Sequence, residues 1–321
     1  MKPARQPIDG VLLLNKPVGI TSNAALQKAK WLLNAKKAGH TGTLDPFADG
    51  LLPLCFGEAT KFSAYLLESD KHYRATMLLG ITTTTGDPEG AILSERSVAA
   101  SCDDICAVLP RYRGETEQIP PMHSALKHQG KPLYEYARAG IEIDRPPRKV
   151  RISALELVEC KPPHVIFDVQ CSAGTYIRTL AQDIGAALGC GAHLTGLCRT
   201  RVGGFALSQA HSLAALEALP AAERISTLLP VDAMLTHLPR IDLPSTDVMA
   251  LTQGRSVPYA SSLQGLVRLY AEDMHFIGLA EAGAGTLVPH RLCNTAERSA
   301  QDRKNIACDL GGADAATSDI R

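Results

Sequence analysis

The sequence predicts an α+β fold with two domains, and three observations support that expectation. The chain has 321 residues, of which 45% are hydrophobic, enough to bury more than one core. Segments with the alternation of strands and segments with the spacing of helices follow one another without a regular βαβ repeat. After about residue 241 the composition changes to short apolar segments between turns. We therefore expect a larger mixed domain over residues 1–240 and a small all-β domain over residues 241–293.

The N-terminal part of the chain predicts one strand and two helices. Residues 11–14 are all apolar and lead into a turn, which is typical of a short buried strand. Thr21 or Ser22 has a side chain suited to cap a helix, and this helix is expected to run to about Ala35. Residues 58–68 are predicted to form a second helix.

The central part predicts a clearly alternating strand and the elements that pack beside it. The apolar residues on one face of this strand are Tyr73, Ala75, Met77 and Leu79. Their two-residue period predicts a strand that ends at Gly80. Residues 150–160 and 164–172 are further strand candidates, separated by two prolines. Residues 175–188 are then predicted to form a helix that closes near a glycine.

The C-terminal part differs from the rest in composition. Residues 250–257, 265–270 and 276–280 are predicted to be short strands linked by turns. Residues 294–321 are polar, rich in glycine and alanine and mixed in charge, which predicts a disordered tail.

Asp45 is the first candidate for a catalytic residue. It closes the run Gly39-His40-Thr41-Gly42-Thr43-Leu44-Asp45 and is followed by Pro46. The glycines allow backbone angles closed to other residues, and the proline restricts Asp45 to an extended conformation. A carboxylate held in this way has the ionisation and fixed geometry that a nucleophile needs. An ordinary turn explains the same residues equally well, because Asp-Pro and Gly-Thr are common turn dipeptides.

Composition predicts a cytoplasmic protein without a membrane segment or a metal ion. Residues 1–10 lack the apolar core of a signal peptide, and no apolar run approaches the length of a membrane span. The nine cysteines include no Cys-x-x-Cys pair, which favours reduced thiols in or near the core. A zinc site built from Cys190, His193 and Cys198 is the alternative, but their spacing matches no standard zinc knuckle.

The formal net charge is zero, but the charges are unevenly distributed. Residues 1–40 carry seven basic residues against one acidic residue, and residues 121–151 carry seven against three. A concentrated basic surface is what phosphate binding requires, so overall neutrality does not exclude a nucleic-acid partner. For the N-terminal lysines alone, an ordinary solvated helix face is the simpler interpretation.

The segment between Pro120 and Lys149 combines basic and aromatic residues. Its members with this character are Lys127, Lys131, Arg138, Tyr134, Tyr136, His123 and His128. The combination is typical of a mobile insertion that closes on RNA. A plain surface hairpin followed by a helix explains the same pattern.

Five separated motifs occur in one order over about two-thirds of the chain. They are Asn15-Lys16-Pro17-Val18-Gly19; the run from Gly39 to Pro46 with Gly50-Leu51-Leu52-Pro53-Leu54 and Gly57-Glu58-Ala59-Thr60-Lys61; Asp70-Lys71-His72-Tyr73; Gly174-Thr175-Tyr176-Ile177-Arg178; and Ala192-His193-Leu194-Thr195-Gly196-Leu197 with Arg199 and Arg201. Together they resemble the motifs of the TruB-type tRNA pseudouridine synthases. An ordered set of this kind is far more specific than any single motif.

This resemblance implies a fold and a reaction. The fold would be a pseudouridine-synthase core with a mixed, mainly antiparallel sheet, an RNA-gripping insertion at about residues 120–150, and a C-terminal domain related to PUA domains. The reaction would convert uridine 55 in the T-arm stem-loop of tRNA to pseudouridine without a metal or organic cofactor. The long insertion and the C-terminal unit favour the stand-alone bacterial type, a monomer that needs no guide RNA.

The resemblance also assigns roles to residues. Asp45 would be the nucleophile, although the sequence does not choose between attack on the sugar, removal of a sugar proton and addition to the base. Arg178 would pair with Asp45, and Tyr73 would stack on the flipped base and assist proton movement. The residues implied in substrate binding are His40, Lys61, Tyr176, Leu197, Lys16, Lys127, Lys131 and Arg138. Two positions depart from the family pattern, since His123 stands for a tyrosine and Thr84 for an acidic residue.

Two functions of other classes are the alternatives to a pseudouridine synthase. A non-catalytic RNA-folding module would use the same basic surface without needing Asp45, and such an activity could accompany catalysis. An aspartyl phosphotransferase would need Asp-x-Asp and a magnesium site, whereas Asp45 and Asp49 are four residues apart. Within the resembling family, a guide-RNA-dependent relative is the further alternative.

Overall fold

A computed structural model of the chain describes residues 4–260 and 262–294. The predicted tail over residues 294–321 lies outside the described residues apart from Asn294. In the described part of the chain, no helix is long and apolar enough to cross a membrane.

The described residues form strands and short helices in alternation. The strands are β1 (Gly10–Lys16), β2 (Ala38–His40), β3 (Asp49–Phe56), β4 (Lys71–Leu79), β5 (Ile81–Thr83), β6 (Ile92–Glu95), β7 (Gly114–Gln118), β8 (Lys127–His128), β9 (Lys131–Pro132), β10 (Arg148–Lys161), β11 (His164–Cys171), β12 (Ala192–Val202), β13 (Phe205–Ala206), β14 (His211–Ser212), β15 (Arg240–Leu243), β16 (Val257–Pro258), β17 (Gly265–Ala271), β18 (Phe276–Gly283) and β19 (Thr286–Leu292). The α-helices are α1 (Ser22–Leu32), α2 (Ser63–Leu67), α3 (Cys102–Val108), α4 (Leu133–Arg138), α5 (Ile177–Ala187), α6 (Leu213–Ala218) and α7 (Ser245–Thr252). Short 3-10 helices lie at Gly57–Phe62, Leu109–Tyr112, Leu207–Gln209, Glu223–Thr227 and Ala233–Leu235.

A ten-stranded sheet forms the larger part of the molecule. Its strand order is β14-β1-β3-β12-β4-β11-β10-β7, with β13 beside β12 and β2 beside β3. Only β1 with β14 and β3 with β12 pair in parallel among the described strands of this sheet, and the remaining pairs are antiparallel. The expected mixed, mainly antiparallel sheet in an α+β fold is therefore confirmed.

Local sequence explains why the predicted elements form. Thr21 caps α1, because its Oγ1 accepts a hydrogen bond from the Ala24 amide at 3.1 Å. In β4, Ala75, Met77 and Leu79 are buried on one face, as their alternation predicted. The core beneath this face is completed by apolar residues of α5.

Two of the predicted elements differ in the structure. Residues 58–68 begin as a 3-10 helix and only then become α2, so the expected single helix is divided. The expected strand over residues 250–257 is wrong, because residues 245–252 form helix α7 and only Val257–Pro258 is a strand. Pro244 has the backbone angles suited to precede a helix, and Leu251 buries its side chain in the C-terminal core, so packing favours a helix there.

The second sheet has five strands in the order β15-β17-β18-β19-β16. It packs against the ten-stranded sheet through a shared core, in which the Phe62 and Phe276 rings lie edge to face with centroids 5.5 Å apart. Arg268 and Asp232 form a partly buried ion pair at 3.0 Å beside this core. The two sheets therefore share buried apolar surface.

The prediction that the cysteines are reduced thiols is wrong for two of them. Cys102 of α3 and Cys160 of β10 form a disulfide, although 58 residues separate them in sequence. No short-range spacing could indicate this pair, because the fold alone brings α3 beside β10.

The alternative zinc site was built from Cys190, His193 and Cys198. In the structure, the Nδ1 atom of His193 lies 2.9 Å from the Ile81 carbonyl oxygen. Among the described residues, no group of three possible ligands could hold a metal ion.

Candidate active site

Asp45 lies in the loop between β2 and β3, and hydrogen bonds fix that loop from two sides. The Ser22 hydroxyl donates to the Leu44 carbonyl at 2.9 Å and accepts from the Leu44 amide at 2.7 Å. The Gly19 amide donates to the Pro46 carbonyl at 2.8 Å. The Asp45 side chain keeps 34% of its surface exposed. The loop therefore presents a carboxylate from a constrained backbone.

Arg178 joins this loop to helix α5. Its Nε lies 3.1 Å from Asp45 Oδ2, and its Nη1 lies 3.0 Å from Asp87 Oδ2. The same guanidinium donates to the carbonyls of Thr85 and His123, at 3.0 Å and 2.7 Å. A cation in the first turn of a helix opposes the helix dipole, so the two carboxylates offset an unfavourable position. The structure thus brings Arg178 and Asp45 together as an ion pair.

Asp87 is the residue of this cluster that sequence reasoning missed. It is 2% exposed, and its Oδ1 accepts hydrogen bonds from the Thr85 hydroxyl at 2.5 Å and from the Glu89 amide at 3.0 Å. These bonds hold the second carboxylate against Arg178. The family resemblance implies an acidic residue at position 84 instead, where this chain has the exposed Thr84. A sequence signal that could have indicated Asp87 is the Asp-Pro dipeptide that it forms with the next residue after a strand. The same local pattern occurs at Asp45.

The surroundings of Asp45 act on its pKa in both directions. Burial is the largest effect and raises the pKa, while the Arg178 guanidinium lowers it, the Asp87 carboxylate raises it and the Lys16 ammonium lowers it. The net result is a pKa above the ordinary value of an aspartate. The ionised carboxylate is therefore lost at a higher pH than for an exposed aspartate.

Tyr73 of β4 lies beside Arg199 of β12 and packs against the core formed by β4 and α5. The antiparallel register of β4 and β12 pairs these two residues directly. Burial raises the pKa of the Tyr73 hydroxyl, whereas Arg199 opposes this through its charge and a side-chain hydrogen bond. Arg199 is 1% exposed, and it donates from Nε to the Leu51 carbonyl at 2.7 Å and from Nη2 to the Gly42 carbonyl at 3.2 Å. Arg199 belongs to the fifth sequence motif, but the sequence did not predict its buried position beside Tyr73.

Three further predicted residues surround the same region. His40 ends β2, and burial followed by the charge of Arg199 lowers the pKa of its imidazole. Tyr176 precedes α5 and is held by Gln118, which accepts from its amide at 3.0 Å and donates to its carbonyl at 3.3 Å. Leu197 is 9% exposed and lies two residues from Arg199 on β12. Burial, and to a smaller extent the Asp45 carboxylate, raise the pKa of the Tyr176 hydroxyl, so Tyr176 lies within electrostatic reach of Asp45.

Family models match three consecutive parts of the chain. The model described as TruB family pseudouridylate synthase (N terminal domain) matches residues 30–177, and the tRNA pseudouridylate synthase B C-terminal domain matches residues 178–236. The model described as Pseudouridine synthase II TruB, C-terminal, matches residues 239–293. The chain is 69% identical to the tRNA pseudouridine synthase B of Thiobacillus denitrificans, over 92% of this chain and all of that relative.

The chain belongs to the TruB family of pseudouridylate synthases.

Other family members and solved structures agree with this assignment. The tRNA pseudouridine synthase B of Chromobacterium violaceum is 54% identical over 90% of this chain and 95% of its own length. A crystal structure of a Cbf5-Nop10-Gar1 complex matches with a TM-score of 0.64 and 30% identity, covering 85% of this chain and 78% of that chain. An archaeal box H/ACA sRNP Nop10-Cbf5 complex matches with a TM-score of 0.65 and 26% identity, covering 89% and 86%. The fold of this enzyme is therefore that of the wider pseudouridine synthase group.

In this TruB family enzyme, two basic residues predicted to bind substrate have partners within the chain. Lys16, counted with the N-terminal basic surface, is fully buried and donates to the Pro17 and Ile20 carbonyls, both at 2.8 Å. Burial lowers its pKa to about 8. Lys61 lies 2.7 Å from Glu58 and donates to the Leu292 carbonyl at 3.0 Å. Lys16 is thus not part of the exposed basic surface.

The basic residues of the insertion lie on the surface. Lys127 and Lys131 belong to the two-residue strands β8 and β9, and both are exposed. Arg138 ends α4, with its guanidinium carbon 5.4 Å from the centre of the Tyr134 ring. The structure does not bring these side chains to Asp45. It does bring the His123 carbonyl to Arg178, so the start of the insertion touches the candidate site.

Proposed function

We propose that this enzyme isomerises uridine 55 in the TΨC loop of tRNA, with Asp45 as the nucleophile. The observation that carries this proposal is the ion pair between Asp45 and Arg178, which are 3.1 Å apart. The guanidinium favours the ionised carboxylate against the effect of burial, while 34% of the Asp45 side chain stays exposed. A nucleophilic oxygen must be both ionised and accessible, and this arrangement meets both conditions.

The reaction rearranges bonds without adding or removing atoms. The bond between N1 of the base and C1′ of the sugar breaks, the base turns, and a bond forms between C5 and C1′. The proton on C5 is then lost and N1 gains one. Asp45 attacks the sugar, removes a sugar proton or adds to the ring, and each of these first steps requires the same ionised carboxylate.

A uridine inside a folded loop must leave the base stack to reach Asp45. Tyr73 is proposed to stack on the flipped base, a contact worth about 1–3 kcal/mol in other base–aromatic pairs. Tyr176 and Leu197 would form the apolar walls of the pocket, and His40 would occupy the space that the base leaves. Burial and then the charge of Arg199 lower the pKa of the His40 imidazole, which supports this role, because a neutral ring costs less to place among stacked bases.

The choice of tRNA is supported by the curated relatives. Those at 54% and 69% identity are named tRNA pseudouridine synthase B, whereas the solved Cbf5 complexes share only 26% and 30% identity with this chain. We infer a stand-alone monomeric enzyme that recognises the T-arm stem-loop without a guide RNA. Because the proposed substrate is tRNA, we also infer a cytoplasmic location.

Affinity for tRNA is proposed to come from surfaces outside the pocket. Lys127, Lys131 and Arg138 are exposed on the insertion at about residues 120–150, where they can reach phosphates. The domain over residues 241–293 would add contacts as a PUA-like unit, beside the catalytic domain over residues 1–240. Removing the insertion's charges should therefore weaken binding more than chemistry.

The test is to incubate the purified enzyme with an unmodified tRNA transcript, digest the RNA to nucleosides and map any pseudouridine. A transcript with cytidine at position 55 is the matched control, and a T-arm stem-loop tests how much RNA is needed. We expect one pseudouridine, at position 55, and none in the control. Pseudouridine at another position would contradict the proposed specificity, and none in any transcript would contradict the proposed substrate.

A further inference from the structure

Three cysteines lie on two neighbouring elements, helix α3 and strand β10, that contribute no residue to the candidate active site. Cys102 of α3 and Cys160 of β10 form the disulfide, and both are partly exposed. Cys106 follows one turn later on α3 and is a free cysteine with an exposed side chain. Among the described residues, the other free cysteines are buried or partly buried. An exposed thiol therefore lies beside a disulfide that solvent can reach.

Cys106 lies on the same face of α3 as Cys102. Residues four positions apart in a helix are neighbours, with Cβ atoms about 5–6 Å apart, and each Cβ is tilted toward the start of the helix. A stable disulfide needs Cβ atoms about 3.5–4.5 Å apart, so a bond between Cys102 and Cys106 would distort the helix. The Cα atoms of Cys102 and Cys160 are 5.9 Å apart, which is usual for a disulfide. The fold therefore favours Cys102 and Cys160 as the final pair and leaves Cys106 within reach of it.

Other contacts hold this part of the chain against β10 independently of the disulfide. Ile105 and Val108 of α3 bury their side chains in the core beneath β4. Shortly after α3, the Arg113 guanidinium donates twice to the Leu155 carbonyl of β10, at 3.2 Å from Nε and 2.6 Å from Nη2. The disulfide can therefore open and close again while its two sulfurs stay close together.

We propose that these three cysteines form a thiol–disulfide exchange site, in which Cys106 reacts with a low-molecular-weight disulfide such as glutathione disulfide and passes the oxidation to Cys102 and Cys160. The Cys106 thiolate first attacks one sulfur of the small disulfide, and the other half leaves as a thiolate. The Cys102 thiolate then attacks the Cys106 sulfur and releases the second half. The Cys160 thiolate attacks the Cys102 sulfur last, which forms the disulfide and returns Cys106 as a thiolate. The small disulfide is thus reduced to two thiols, which take up the two protons that Cys102 and Cys160 lose.

The exposure of the sulfurs and the inferred location of the enzyme both support a reversible bond. The rate of thiol–disulfide exchange depends on access to the attacking thiol, and Cys106 is more exposed than Cys102 and Cys160. Disulfides are rare in the reducing cytoplasm, and those that occur there are usually transient and catalytic or redox-sensing. The location is the single part of this inference that rests on the proposed function.

The test starts from the full-length enzyme, reduced with dithiothreitol, freed of the reductant and then mixed with glutathione disulfide. Samples are quenched by alkylation at successive times and mapped by peptide mass spectrometry. We expect glutathione to appear first on Cys106 and then to disappear from it as the disulfide between Cys102 and Cys160 forms. Cys106→Ser should slow the formation of that disulfide at least about tenfold. Formation at the wild-type rate in Cys106→Ser would overturn the inference.

The matched control combines Cys106→Ser with Ala107→Cys. Ala107 is also exposed, but one step along the helix turns the thiol by about 100° away from the face of Cys102. The new thiol should take up glutathione without restoring the rapid formation of the disulfide. Rapid formation in this double variant would show that the position of Cys106 is not needed, which would overturn the inference.

Cys102→Ser is a second variant that stops the exchange after its first step, because no thiol remains beside Cys106 to attack its sulfur. Glutathione should then stay on Cys106. Glutathione on Cys160 with none on Cys106 would overturn the inference. Since these measurements need no RNA, an enzyme that forms no pseudouridine would contradict the proposed function alone, and a failed exchange in an active enzyme would overturn this inference alone.

Discussion

The Asp45 loop and the basic insertion differ in how their charged side chains are held. Asp45 is held through the buried Arg178 and Asp87, and the guanidinium uses all three of its nitrogens. On the insertion, Lys127 and Lys131 are exposed on strands of only two residues. A fixed charge suits a reaction that needs one geometry, whereas free charges suit phosphates at varied positions. This difference agrees with the proposal that chemistry and affinity are located in separate parts of the molecule.

In the described part of the chain, a hydrogen bond to the backbone connects the two regions. The His123 carbonyl, at the start of the insertion, accepts a hydrogen bond from Arg178 at 2.7 Å. The sequence departs from its family pattern at this residue, yet the contact uses the backbone and does not depend on the side chain. Changes in the tip of the insertion should therefore leave the Arg178 cluster intact. Each of the following predictions tests whether the separation holds.

Among the variants that leave Asp45 itself unchanged, the largest effect is expected for Arg178→Lys. A point charge cannot satisfy two carboxylates and two carbonyls, and each lost charge-assisted hydrogen bond is worth about 1.5–3 kcal/mol. We predict that kcat falls at least about 100-fold while tRNA affinity stays within about threefold. Arg74→Lys, at an exposed arginine paired with Asp168, is the control. The measurement is the single-turnover rate of pseudouridine formation. A rate in Arg178→Lys within threefold of wild type would show that the planar guanidinium is not needed.

The next prediction concerns pH in Asp87→Asn. The pKa of Asp45 is raised, so its ionised form is lost as the pH falls through that raised value. Asp87 contributes to the rise, and removing its charge lowers the pKa of Asp45. The acid limb of kcat should therefore move to lower pH, together with about a tenfold lower maximum from the weakened hold on Arg178. Asp168→Asn is the exposed control, and a limb that stays in place or moves upward contradicts the assignment.

A moderate effect is expected when the charges of the insertion are removed. Changing Lys127, Lys131 and Arg138 to alanine should reduce the slope of log K against log salt by about 2, since each lost phosphate contact contributes about 0.7–0.9. The chemical step on saturating stem-loop should change less than about twofold. Removing the exposed Arg111 and Lys161 instead is the control. An unchanged salt slope in the triple variant would mean that the RNA is held elsewhere.

The smallest effect is expected for Lys61→Met. Its Nζ joins Glu58 of the catalytic part to the Leu292 carbonyl of β19. Losing these bonds should lower the free energy of unfolding by about 1–2 kcal/mol, measured by denaturant titration. The affinity for tRNA should stay within about twofold. A tenfold loss of affinity at unchanged stability would instead support the substrate contact that the sequence predicts for Lys61.

Local patterns made part of this structure predictable. The alternation in β4, the cap at Thr21 and the constrained loop at Asp45 each depend on residues close together in sequence, and the structure has all three. Helix α7 was missed because packing of Leu251 decided its conformation. Packing against residues that are distant in the chain cannot be predicted from a short stretch of sequence.

The rest of the site depends on which strands become neighbours. Asp87 meets Arg178 across 91 residues, and Arg199 reaches Gly42 across 157 residues. Residues this far apart in the chain form no spacing pattern that a single sequence reveals. The same reason applies to the disulfide between Cys102 and Cys160. Family resemblance supplied the pair of Asp45 and Arg178, but not the second carboxylate or the second arginine.

The most direct test of the central claim is single-turnover pseudouridine formation by Asp45→Asn, with tRNA affinity measured on the same preparation. The change removes the ionisable oxygen and keeps the shape of the side chain. We predict a rate lower by at least about 10⁴-fold and an affinity within about threefold of wild type. Turnover near the wild-type rate with intact binding would contradict the claim that Asp45 is the nucleophile.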